Sequence, residues 1–272
     1  MEQVIVIRGG GDLASGIAAR LFRSGFKVIM TELPKPLTVR RTVSFSEAIY
    51  SGFTEVERII SRRSSSIKEI SITQMGREIP ILVDENLEIL KSNKYEFSVL
   101  IDARMEKKPE IKSLYKSVPL LIGIGPGFTA GVDCSVVIES SRGHSLGRIY
   151  RQGKALDDTG HPAGDPTRIL RAPMSGTILT EVKIGDLLES GSVIAKINGV
   201  PILAPFTGLL RGLIHDGVTV QKGMKIGDMD HRSDINLCFS ISDKAMAIGG
   251  SVLEVILSDT NLQPDRRDKP KL

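Results

Sequence analysis

Tryptophan is absent from these 272 residues, and four tyrosines and eight phenylalanines bring the aromatic share to only 4%. A core must therefore be assembled from valine, isoleucine and leucine, which favours parallel β structure and small barrels over aromatic-rich sandwiches. Cysteine is scarce: Cys134 and Cys238 lie far apart, form no disulfide framework, and are expected as reduced, packed thiols. Four histidines, none paired at ligand spacing, predict no metal site. No apolar run approaches the ~20 residues of a membrane span, and the start Met1-Glu2-Gln3-Val4 lacks a charged leader and a cleavage site. The expectation is a cytoplasmic chain with no membrane attachment. The net charge of +4, from 36 basic and 32 acidic residues, is small. The pairs Arg40-Arg41 and Arg62-Arg63 are not interleaved with aromatics, which argues against a nucleic-acid partner.

What the chain does have stands at its start. The apolar run Val4-Ile5-Val6-Ile7 opens into Gly9-Gly10-Gly11, a helix-patterned segment follows from Leu13 to Gly25, and a second apolar run, 27–31, ends at Glu32. Gly9-x-Gly11-x-x-Ala14 fits the dinucleotide fingerprint with alanine in its third place, and Glu32 falls about 20 residues on, where the ribose-binding acid is expected. Strand, tight turn, helix and strand make a right-handed βαβ unit whose helix start offers N–H groups to an anion. Asp12 disagrees, since it sets a carboxylate where that anion belongs. It either caps the helix or meets a ligand hydroxyl, an amide or a metal-bound water.

Further apolar runs at 79–83, 98–102 and 119–124 extend the sheet, and the segment 46–61 reads as another helix or helix pair. Asp102 and Arg104 follow one strand, at the edge where ligands bind or where the two simply pair with each other. Another strand runs into Gly125-Pro126-Gly127, a second glycine-rich loop. Beyond it, Arg142, His144 and Arg148 form a cluster suited to a phosphate or pterin-phosphate, or else a structural turn with solvated arginines. His161, His215 and His231 stand alone. No nucleophile–base motif appears.

The turn-rich stretch 153–168 reads as a linker or an ordered interdomain loop. Past it, a shift of 32 residues superposes Ala172-Pro173 on Ala204-Pro205, Gly176 on Gly208, Gly185 on Gly217 and Gly191 on Gly223. Two such copies of short strands would interlock as a small β-sandwich around the hairpin signal Asn198-Gly199. This part resembles the barrel-sandwich hybrid of biotinyl and lipoyl carrier domains. Those carry a modified lysine at the hairpin tip, whereas Lys196 here precedes the turn, so neither biotin nor lipoate is expected. Residues 242–257 read as a helix containing a Gly249-Gly250 step. Each glycine costs roughly 1 kcal/mol there, which predicts close packing against the first domain. The tail from Pro264 is charged and expected to be disordered.

Taken together, Gly9-Gly10-Gly11-Asp12-Leu13-Ala14-Ser15-Gly16, Ile101-Asp102-Ala103-Arg104-Met105, Ile122-Gly123-Ile124-Gly125-Pro126-Gly127-Phe128, Arg142-Gly143-His144 and Ser242-Asp243-Lys244-Ala245 resemble the YqeB family over nearly the whole chain. These are accessory proteins of selenium-dependent molybdenum hydroxylase systems. The N-terminal half is also similar to the Rossmann domain of XdhC, which commonly has histidine where Asp12 stands. The resemblance implies an accessory or maturation protein that binds molybdenum cofactor or a related nucleotide and serves a molybdenum hydroxylase client. A nicotinamide-dependent oxidoreductase of a small molecule and a non-catalytic scaffold are the alternatives, so whether a bond is made or broken stays open, as does homo-oligomer formation.

The expected architecture is α/β. A Rossmann-like parallel sheet spans 1–165, an all-β barrel-sandwich hybrid 166–232, a helix returning to the first domain 233–258, and a flexible tail 259–272. The expected cofactor-binding residues are Gly9, Gly10, Gly11, Asp12, Leu13, Ala14, Glu32, Asp102, Arg104, Gly125, Gly127, Arg142 and His144.

Overall fold

A computed structural model describes residues 2–106, 118–158 and 164–264, so His161 and the tail from Asp265 lie outside the described residues. Strand β1 (Glu2–Arg8), helix α1 (Asp12–Arg23) and strand β2 (Val28–Glu32) come first. Val4 to Ile7 have no exposed surface, as in a strand covered on both faces. There follow α2 (Ala48–Ser51), β3 (Phe53–Val56), β4 (Ile59–Arg63), α3 (Ile67–Met75), β5 (Ile79–Val83), β6 (Tyr95–Asp102), β7 (Leu120–Ile124), β8 (Thr129–Ala130), β9 (Val136–Ile138), β10 (Ile149–Tyr150) and β11 (Gly153–Lys154). Nine of them form one sheet in the order β10-β9-β7-β6-β1-β2-β5-β4-β3, while β8 and β11 pair separately.

The expectation of a Rossmann-like parallel sheet is corrected here: the sheet is mixed. From β9 to β4 the neighbours run parallel, but β10 is antiparallel to β9 and β3 is antiparallel to β4. The β3–β4 hairpin lies inside the segment expected to be helical. Only Ala48–Ser51 is α-helical there, and Gly52, at φ 84°, ends it. Glu57 and Arg58 then turn the chain with φ of 46° and 65°, both left-handed, the twist a two-residue hairpin needs. Neither residue is of the usual turn type, so the hairpin left no sequence signal.

Helix α1 buries Leu13, Ala14, Ile17, Ala18 and Leu21. Its small face receives α5 (Asp243–Asp259), introduced by the short α4 (Asn236–Phe239). A Cβ on Gly16 would lie 2.6 Å from that of Ala245, and one on Gly249 would lie 3.0 Å from the Gly16 carbonyl oxygen. The glycines thus let the two helices meet almost backbone to backbone. That contact delivers Ser242, Asp243 and Lys244 to the start of α1.

The remaining strands are β12 (Ile169–Arg171), β13 (Gly176–Thr180), β14 (Leu187–Leu188), β15 (Val193–Ile197), β16 (Val200–Leu203), β17 (Gly208–Leu213), β18 (Thr219–Val220) and β19 (Lys225–Asp230). The expected barrel-sandwich hybrid is corrected to two separate four-stranded antiparallel sheets, β12-β19-β17-β14 and β16-β15-β13-β18. With β14 and β18 only two residues long, no ladder joins the two sheets among the described residues. Both nonetheless share a core that includes Ile178, Ile194, Ile197, Leu210, Leu213 and Ile226. Asn198 and Gly199, at φ 49° and 82°, form the β15–β16 turn, and Lys196 is ion-paired to Glu181 at 2.6 Å.

The segment after β2 ties the large sheet to these small ones. Leu213 N–H donates to the Val39 carbonyl at 2.8 Å, and Arg41 Nε donates to the Leu213 carbonyl at 2.7 Å. Gly212 fits because a Cβ would stand 2.8 Å from Val39. A cavity of about 1670 Å³ lies where the carboxyl ends of β1 and β2 face β19 and the start of α5.

Candidate functional site

Parallel strands end together, so the loops after β1, β2 and β6 open on one edge of the sheet. At that edge Gly9 takes φ 103° and donates its N–H to the Thr31 carbonyl at 2.8 Å. Gly10 N–H donates to Glu32 Oε2 at 2.6 Å, and Leu33 N–H to Glu32 Oε1 at 2.7 Å. Burial pushes the Glu32 carboxyl up in pKa, against the lowering effect of these two bonds. Gly10 is a packing glycine, since a Cβ there would lie 2.9 Å from Ile81 and 3.1 Å from Ser46. Asp12 Oδ1 accepts the Leu13 N–H at 3.0 Å, and its Oδ2 stands 3.8 Å from Arg40 Nη1. The loop that was to cradle a pyrophosphate has thus given N–H groups to two carboxylates. The Gly10 and Leu13 N–H groups are thereby committed within the protein.

The other expected residues divide. Gly9, Gly11, Asp12, Leu13, Glu32, Arg104 and Arg142 line the cavity; Gly10, Ala14, Asp102, Gly125, Gly127 and His144 do not. Ala14 is in the core. Asp102 is buried under Arg104, which grips it through Nε and Nη2, with Arg8 3.6 Å away. This is the pairing alternative. Gly125, at φ 79°, is held against the Ser140 hydroxyl, where a Cβ would come to 2.5 Å. Arg142 spends its fork on Asp243 at 2.7 and 2.9 Å, which holds that carboxyl down at a pKa of about 2. His144 is exposed, and its carbonyl accepts from Arg148 Nε.

The sequence reading missed the opposite wall. Asp228, fully buried on β19, accepts from Arg168 and Arg211, while Asp230 is gripped by Arg232 at 2.7 and 2.9 Å. Those bonds from Arg232 hold the Asp230 carboxyl at a pKa of about 2 despite its burial. Arg40, 8% exposed, donates from Nη2 to the Leu237 carbonyl at 2.8 Å.

Two half-buried lysines complete the wall: Lys225 at the start of β19 and Lys244 in the first turn of α5. Among the described residues neither forms an ion pair with a carboxylate. Burial pulls both ammonium groups down in pKa, opposed at Lys225 by Asp228 and then Asp12, and at Lys244 chiefly by Asp12. Asp228 and Asp230, alternating with Gly227 and Met229 on β19, were the available sign that this strand faces something charged.

Three buried polar atoms with no hydrogen-bond partner also belong to wall residues: Arg8 Nη1, Thr31 Oγ1 and Arg40 Nε. No group of three or more potential metal ligands occurs among the described residues. Nor is any described helix long and apolar enough to cross a membrane.

The edge and its cleft define an α/β chain with a large, polar cleft lined by several cationic side chains. No family model matches the chain. It is 44% identical over 261 residues to the Escherichia coli K12 protein named "Uncharacterized protein YqeB", covering 94% of this chain and 48% of that one. This likeness supports the YqeB family, and the chain spans about half the length of the curated relative it matches.

Solved structures that resemble it include an aspartoacylase family protein from Mesorhizobium loti (10% identity, 84% of each chain, TM-score 0.26). Others are a succinylglutamate desuccinylase/aspartoacylase from Rhodobacter sphaeroides (12%, 85% of this chain and 87% of that one, 0.27) and the ectoine utilization protein EutE from Ruegeria pomeroyi (9%, 84% and 86%, 0.24). None of these names carries the fold, role or client that the motifs led one to expect. The assignment as Rossmann plus barrel-sandwich hybrid, the XdhC-like nucleotide-binding role and the place in molybdenum-hydroxylase maturation are withdrawn. At such TM-scores the matches supply no activity in exchange.

Proposed function

We propose that the chain binds a small organic anion, bearing carboxylate or phosphate groups, in the cleft between the sheet edge and β19. One observation carries this reading: Lys225 and Lys244 line the cleft from two different elements, both within the influence of Asp12, and neither has an ion-paired carboxylate among the described residues. Nearly every other cation of the wall is already paired, as Arg142 with Asp243 and Arg168 with Asp228. Burying a cation unpaired costs free energy that an anionic ligand returns. At an effective dielectric constant of about 20, a unit charge 4 Å from an ammonium gains about 4 kcal/mol before desolvation.

Thermal unfolding with citrate, oxalate, pyrophosphate and inorganic phosphate tests the reading. A ligand at about 100 times its Kd adds about 2.7 kcal/mol of stability. Selective stabilisation by at least one probe is expected, weakened about 10- to 100-fold in affinity when Lys225 or Lys244 becomes methionine. No response to any probe, or equal binding by the variants, refutes it.

A further inference from the structure

We propose that Lys244 is a nucleophilic amine that forms an imine with the carbonyl carbon of a small oxo acid held in this cleft; the proposal rests on the anion-binding reading above. Its position is the first reason. Lys244 stands in the first turn of the 17-residue helix α5, where a cation opposes the helix dipole and an acid is preferred. Ser242 caps that turn by accepting the Ala245 N–H, and Asp243 supplies the acid, so Lys244 does nothing for the helix. A residue that breaks a local rule without structural gain, and lines a cavity, marks a functional position.

The charges around it are the second reason. Asp243 is engaged by both nitrogens of the Arg142 fork, and Glu139 accepts the Ser141 and Leu156 N–H groups at 2.7 Å each. Asp12 exerts the largest attraction on the Lys244 amine, Glu139 and Asp243 smaller ones, and Arg142 repels it. Burial outweighs these attractions and favours the neutral, nucleophilic amine. Lys225, on the facing strand, supplies a second cation for the carboxylate of the same ligand.

The step balances without an oxidant or reductant. A water of the cleft relays a proton from the ammonium to Asp12, and the free amine adds to the carbonyl carbon. The C–N bond forms as the carbonyl π pair moves to oxygen, which takes up the second amine proton to give a carbinolamine. The same water relay returns the proton from Asp12 to the departing hydroxyl, and water leaves as the C=N bond forms. The products are a protonated imine and one water. An oxo acid fits better than a simple aldehyde because its carboxylate meets the unpaired charge of Lys225.

The whole chain is incubated with pyruvate or 2-oxoglutarate and cyanoborohydride, then digested and mapped by mass. Burial favours the neutral amine at Lys244, so its modification should exceed that of the exposed Lys222 several-fold. Lactate, which lacks the carbonyl, should slow it by competition, and Lys244→Arg should abolish it. Labelling of Lys244 no faster than Lys222, or an undiminished adduct in Lys244→Arg, overturns the proposal. Thermal stabilisation by pyruvate and lactate alike with no adduct overturns the imine and leaves the anion site standing. Absence of both stabilisation and adduct overturns both.

Discussion

The contact between α1 and α5 positions Lys244, and its glycines make opposite predictions. A Cβ added at Gly16 meets the Ala245 side chain at 2.6 Å and its carbonyl carbon at 3.0 Å, about 0.8 Å short of the 3.4 Å where ordinary contact begins. Gly16→Ala therefore forces the helices apart, an overpacking cost of about 1–3 kcal/mol. The alanine returns about 1 kcal/mol of helix propensity, so the net loss reaches up to about 2 kcal/mol. Gly250, in the same helix pair, has no atom within 4 Å of an added Cβ. Gly250→Ala carries the propensity gain alone and stabilises by about 0.5–1 kcal/mol. Urea unfolding followed by circular dichroism measures both, with melting shifts of about 2–4 °C per kcal/mol. Equal signs for the two variants would refute the close helix approach. Because Gly16→Ala displaces the start of α5, it should also weaken anion binding, whereas Gly250→Ala should leave binding unchanged.

Two further predictions concern carboxylates. Asp230 has its pKa held near 2 by Arg232, below the ordinary 3.8, so its stabilisation is complete above that ordinary value and is lost as pH falls toward 2. Asp230→Asn should cost on the order of 2 kcal/mol at neutral pH and flatten the acid limb of the stability profile; an unaltered limb would contradict the assignment. Glu32→Gln places an amide donor against either Gly10 or Leu33 N–H and should cost about 1–3 kcal/mol, read as a lower melting temperature. An unchanged melting temperature would mean that Glu32 does not close the glycine loop.

Much of the sheet edge was legible in the sequence because its signals are local. The Val4–Ile7 run, the glycine turn, the α1 periodicity and the position of Glu32 all sit within 32 residues. Their chemistry was misjudged for a physical reason: Glu32 at that spacing is equally able to accept a ribose hydroxyl or the loop's own N–H groups. Only tertiary geometry shows that it does the second. The β3–β4 hairpin was illegible because Glu57-Arg58 adopts left-handed φ without glycine or asparagine, and Val56 and Ile59 suit either period. The far wall was illegible for another reason. Lys225 and Lys244 lie more than 200 positions from Asp12 in the chain, and only the strap at Val39–Arg41 and the glycine contact with α5 bring them to it.

The central claim, that unpaired lysines await an anion, is tested most directly by calorimetric titration of citrate in buffers of differing ionisation enthalpy. Burial lowers both ammonium groups below the ordinary 10.5 in the empty cleft, and a bound anion restores them. The account therefore predicts proton uptake on binding and an affinity that falls as pH rises toward 10.5, both lost in the Lys225→Met/Lys244→Met variant. Binding without proton uptake, with an affinity indifferent to pH and to the double substitution, would contradict it.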